Sequence, residues 1–66
     1  MRRDHVEALL PDLTFIETAR KKRKLSATEA VHRVATAIDW STVDDAGGNL
    51  EQVMAHVRQA TTRALG

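Results

Sequence analysis

Cysteine is absent from the chain. That removes disulfides, thiolate catalysis and cysteine-ligated zinc together, and leaves the redox compartment undetermined. Tyrosine is absent too, and Phe15 and Trp40 are the only aromatics. No apolar run approaches the roughly 20 residues needed to cross a bilayer. The opening Met1-Arg2-Arg3-Asp4-His5 is basic, turns acidic at once and leads into no apolar stretch, so it does not read as a signal peptide. The expectation is a cytoplasmic protein with no membrane role.

Catalytic patterns are equally scarce. No glycine-rich phosphate loop and no nucleophile elbow occurs. His5, His32 and His56 lack i, i+4 spacing and have no cysteines to join, so they read as surface histidines and no metal or cofactor is expected. A chain of 66 residues also has little volume for a pocket of roughly 300 Å3. No catalytic residue can be named, and neither an enzyme nor a small-molecule substrate is expected.

What is present makes at most one small domain, residues 1–66. Hydrophobic residues are 42% of the chain, but ten of them are alanine, so the stock of larger apolar side chains is thin. Burial barely outweighs chain entropy at this size, which favours a homodimer or a protein partner that completes the core.

Net charge is only +1, yet all three lysines fall in one run, Arg20-Lys21-Lys22-Arg23-Lys24. Residues 1–24 carry seven cations against four carboxylates, and residues 25–66 carry three against five. Such asymmetry suits a basic contact surface or complementary packing between copies of the chain. On a helix, successive residues turn by roughly 100°, so five adjacent cations cannot share one solvated face. Part of the run is expected of a helix C-terminus, where cations complement the dipole. The remainder suits an acidic protein partner or the phosphates of a nucleic acid. Lys21-Lys22-Arg23-Lys24 also resembles a short nuclear-import signal.

Capping signals divide the chain into helices. Asn49 with Gln52 starts a helix at Leu50, whose stripe is Leu50, Val53, Met54, Val57, Ala60 or Thr61, and Ala64. Ser26-Ala27-Thr28-Glu29 is a capping box that opens a second helix with the stripe Ala27, Ala30, Val31, Val34, Ala37 and Ile38. Thr14 and Glu17 read as another box, and Pro11 separates it from a short first helix. The predicted helices span about 4–10, 12–23, 27–39 and 50–65, with Ser41 to Asp44 available for a short extra turn before Gly47-Gly48. In the second, Lys22 and Arg23 continue the inward face begun by Phe15 and Ile16, so that helix must stop within the basic run. No stretch alternates as a strand would. The expected fold is all-α, a small bundle of three to four short helices.

Lys24-Leu25-Ser26-Ala27-Thr28-Glu29-Ala30 resembles the opening of phage-repressor-like helix-turn-helix domains for about a dozen residues. The resemblance implies DNA binding, but the chain then departs from the pattern: Ala30 runs into Val31, His32, Arg33 and Val34 with no glycine-type turn. A recognition helix placed instead at Leu50 would carry Glu51 in its first turn behind Asp44 and Asp45, setting carboxylates against phosphates. Trp40 falls off the stripe of its helix, as either a cap folded back over the core or an interface anchor. The reading that best fits is a non-enzymatic regulatory or adaptor protein of the phage-inhibitor, antitoxin-like or docking-module type. It would act on a protein partner or as a homodimer, with Arg20, Lys21, Lys22, Arg23, Lys24 and Trp40 as contact candidates. The alternative is nucleic-acid binding through Arg20 to Lys24.

Overall fold

The computed structural model describes residues 2–66. Five α-helices follow in order: α1 Arg3–Leu9, α2 Thr14–Lys22, α3 Ala27–Ala37, α4 Trp40–Asp45 and α5 Leu50–Leu65. A 3-10 turn, Leu10–Asp12, joins α1 to α2, and no strand occurs among the described residues. The fold is the expected all-α bundle, with Ser41 to Asp44 lying inside α4.

Local chemistry accounts for these boundaries. Pro11 has no amide to donate and sits early in the 3-10 turn, where none is required. The chain then extends at Leu13 (φ −76°, ψ 123°), which makes Leu13 the N-cap of α2 and puts Thr14 inside the first turn. The Thr14–Glu17 capping box therefore does not form: no side chain caps α2, and Glu17 pairs forward with Lys21. At α3 the Ser26 hydroxyl accepts the Glu29 amide at 3.1 Å as expected. The Glu29 carboxylate instead accepts from Arg33 Nε at 2.9 Å, so only half of that box is present. Asn49 accepts the Gln52 amide at 3.1 Å and opens α5 where the sequence places it.

Helix α3 stops at Ala37, short of the predicted residue 39, because the backbone extends at Ile38 (ψ 133°) and Asp39 (ψ 98°). This turn keeps Ile38 in the core and frees Asp39 to cap α4 by accepting the Ser41 amide at 3.0 Å. His56 Nε2 accepts the Asp39 amide at 3.0 Å and ties the α3–α4 junction to α5.

One cluster of Val6, Leu10, Ile16, Ala30, Val34, Ile38, Val43, Val53, Val57, Ala60 and Leu65 forms the core. Helices α3 and α5 make the largest pairing, with α2 laid against both. They run antiparallel, since Arg23, just before α3, lies against Gly66, while Asp39, just after it, bonds to His56. Leu50 departs from expectation. It shares the phase of Val53 and Val57 but is 51% exposed, because it overhangs the end of the bundle. No described helix is long and apolar enough to cross a membrane.

Candidate functional site

The basic run is divided by the end of α2. Lys24 adopts the left-handed conformation (φ 59°), the only non-glycine residue among those described to do so. Its amide donates to the Lys21 carbonyl at 3.1 Å and the Leu25 amide to the Arg20 carbonyl at 2.9 Å. These two bonds form a Schellman motif, with lysine at the position that usually holds glycine. Arg20 Nη1 donates to the Leu25 carbonyl at 3.4 Å, and Lys21 Nζ lies 3.0 Å from Glu17 Oε1. The hydrogen bond and charge of Lys21 hold the Glu17 carboxyl below its ordinary value. Two of the candidate cations are thus engaged locally. Lys22, Arg23 and Lys24 are exposed and make no ion pair among the described residues.

Two of the exposed cations border a groove between α2 and the last turns of α5. Its larger part, about 600 Å3, is lined by Phe15, Thr18, Ala19, Lys22, Arg23, Leu65 and Gly66. A smaller recess of about 220 Å3 shares Phe15, Ala19 and Gly66 and adds Arg58, Thr61 and Thr62. The Arg58 guanidinium stacks over the Phe15 ring at 4.8 Å from its centroid. Sequence reasoning missed Arg58: its helical phase marks it as flanking the α5 stripe, but nothing in the sequence says that α2 will bring an aromatic beside it.

Trp40 lines none of that groove and stands at the end of a separate trough between α1 with its 3-10 turn and α3. The trough, about 860 Å3 and open to solvent, is bounded by Leu10, Pro11, Ala27, Val31, Ala35 and Trp40, with polar residues at its margins. Indole Nε1 donates back to the Ala35 carbonyl at 3.2 Å, which folds the half-buried ring over the end of α3. Arg3 stacks on the ring at 4.6 Å while its Nε donates to Glu7 at 2.7 Å. Trp40 and the basic run are therefore not one site; α1 and α3 build the first, α2 and α5 the second.

A third feature is the acidic end, where Asp44, Asp45 and Glu51 are all exposed around the start of α5. No three His, Asp or Glu side chains are gathered so as to hold a metal ion among the described residues. The arrangement offers an apolar trough and a cationic groove, both suited to binding. Compared with known proteins, the chain matches no family model, no curated protein and no solved structure.

Proposed function

We propose that the chain is a non-enzymatic helical adaptor of the cytoplasm that acts by docking on a protein partner, taking an amphipathic helix of that partner into the trough between α1 and α3. The observation that carries this reading is Trp40, half-buried and fixed at the end of an apolar trough. Alanine at 27 and 35, with Val31 between them, keeps the α3 wall low over its 11 residues, about 16 Å. Two to three turns of a partner helix, roughly 11 to 16 Å, span that length. Apolar anchors at i, i+3 or i+4, and i+7 would meet Val31, Ala35 and the indole. Tryptophan is among the side chains that contribute most when an interface closes over them.

A photo-crosslinker at Thr28, used for capture from the native host, tests the reading. The expected product is a protein crosslinked through an amphipathic helical segment, and Ala35→Arg should abolish it while the helical circular dichroism signal is kept. Recovery of nucleic acid alone, or crosslinking indifferent to Ala35→Arg, would refute it. A second reading, nucleic-acid binding through Arg20 to Lys24, is favoured by the exposure of Lys22, Arg23 and Lys24, which form no ion pair among the described residues. It requires salt-steep binding to mixed-sequence DNA or RNA that is lost in Lys22→Glu/Arg23→Glu.

A further inference from the structure

We propose that a second copy of this chain occupies the groove between α2 and α5, inserting the acidic end of its own bundle with Leu50 foremost. This surface is separate from the Trp40 trough, and the proposal does not rest on the reading above.

Leu50 supplies the first reason. It continues the core stripe of Val53, Val57 and Ala60, yet it extends past the helices that cover that stripe and is 51% exposed. Leu9, at 36%, is the other large apolar side chain exposed among the described residues. Three exposed carboxylates, Asp44, Asp45 and Glu51, lie within six residues of Leu50 in the chain. Gly47 donates to the Asp44 carbonyl at 3.1 Å and Asn49 to the Ala46 carbonyl at 3.1 Å, a tight turn that brings Asp44 and Asp45 back towards the start of α5 and Glu51. No lysine or arginine occurs between Arg33 and Arg58, so nothing with a fixed positive charge neutralises that end from within its own segment.

The groove has the complementary composition. Phe15, Ala19 and Leu65 give it an apolar floor, and Lys22, Arg23 and Arg58 stand at its margins. Helix α5 has 16 residues, about 24 Å, with Leu50 at one end and the groove at the other. A single copy cannot bring the two together. Between copies they meet as an aliphatic knob near carboxylates and an apolar hole bordered by cations, which steers encounter and fixes register. The contact joins unlike patches, so it is heterologous, and association continues past two copies unless the arrangement closes.

Sedimentation of the full chain across a concentration series gives the test. At low ionic strength the average mass should rise above 7.3 kDa with concentration. It should fall back to the monomer at about 0.5 M salt, where charges are screened beyond a few ångströms. Lys22→Glu/Arg23→Glu and Asp44→Lys/Asp45→Lys should each sediment mainly as monomer, because each retains one patch and loses the other. An equimolar mixture of the unlike doubles restores one intact contact, the wild-type acidic end of the first in the wild-type groove of the second, and should raise the average mass above that of either variant alone. Each double mixed with wild type should instead cap growth and lower the average mass. Leu50→Ser should weaken association with all charges in place, and circular dichroism should show each variant folded. A monomer at every concentration, or association unchanged by these variants, overturns the proposal. Association lost in Ala35→Arg instead would place copy-to-copy contact in the trough and overturn it as well. A wild-type monomer that binds a mixed-sequence oligonucleotide through Lys22 and Arg23 would make the groove a polyanion site, with the same result.

Discussion

Lys24→Gly should make the protein more stable and its basic corner a poorer contact. Lys24 occupies the left-handed C-terminal position of α2 at φ 59°, where a residue with a Cβ is disfavoured by about 1–2 kcal/mol. Glycine relieves that cost but gives the unfolded chain more freedom, which takes back about 0.4–1 kcal/mol. The net expectation is a gain of about 0.5–1 kcal/mol, or a rise in Tm of about 3–6 °C for a two-state domain of this size. Removing one cation from a run of five also relieves repulsion, so charge and backbone effects must be separated. Lys24→Ala does this, since it deletes the charge and keeps the Cβ.

The assay is thermal and urea unfolding followed by circular dichroism at low salt and at about 1 M salt, where charge repulsion is suppressed. Glycine should exceed alanine by about 0.5–1 kcal/mol at both salts if the left-handed backbone is the cause. Equal melting of the two variants, or a glycine variant less stable than wild type, would refute the reasoning.

Loss of the helix caps should follow the structure and not the sequence pattern. Ser26→Ala and Asn49→Ala should each cost about 1 kcal/mol in urea unfolding, because both side chains accept an amide at 3.1 Å. Thr14→Ala should be close to neutral, since Thr14 lies within the first turn of α2 and caps nothing. Glu17 supplies a pH dependence. Its carboxyl is lowered from 4.5 by the hydrogen bond and charge of Lys21, so its contribution is present above that value and disappears as the pH falls through the lowered one. Glu17→Gln should remove this part of the acid limb when unfolding is compared between neutral pH and pH about 3; an unchanged acid limb would show that the pair contributes nothing measurable.

The elements most legible in the sequence were those whose cap and stripe agree. Asn49 and the Val53–Val57–Ala60 rhythm gave α5 its bounds, and Ser26 gave α3 its start. Where cap and tertiary packing compete, packing decides. Thr14 has the cap pattern, but Leu13 takes the extended position while half-buried against the core, which moves Thr14 into the helix. Ile38 has the phase to continue α3, but an extended backbone buries it equally well and releases Asp39 as the cap of α4. For the candidate surfaces, the basic run and Trp40 were visible as departures from amphipathic pattern. Their settings were not. The stacking of Arg58 on Phe15 depends on how α2 lies across α5, and the left-handed turn at residue 24 lacks the glycine that ordinarily announces it.

Stability alone accounts for some of the charge at the two ends of α5 and leaves a definite remainder. Acid near the N-terminus and cations near the C-terminus complement the helix dipole, and Glu51 and Arg63 already stand in the first and last turns of α5. Arg20 and Lys21 serve α2 in the same way, through the Leu25 carbonyl and Glu17. Lys22 adds to the same effect in the last turn of α2 and Arg23 lies against Gly66 at the end of α5, whereas folding loses by placing lysine rather than glycine at residue 24. Nor does it gain from Leu50, which would be better polar once the bundle fails to cover it. A sequence shaped only by its own fold tends towards agreement between local preference and tertiary position. Here the disagreements gather at the two opposite ends of one helix, with opposite charge and matching apolar character. That pairing is what motivates the proposed contact between copies, in which residues 22, 23 and 50 would take part.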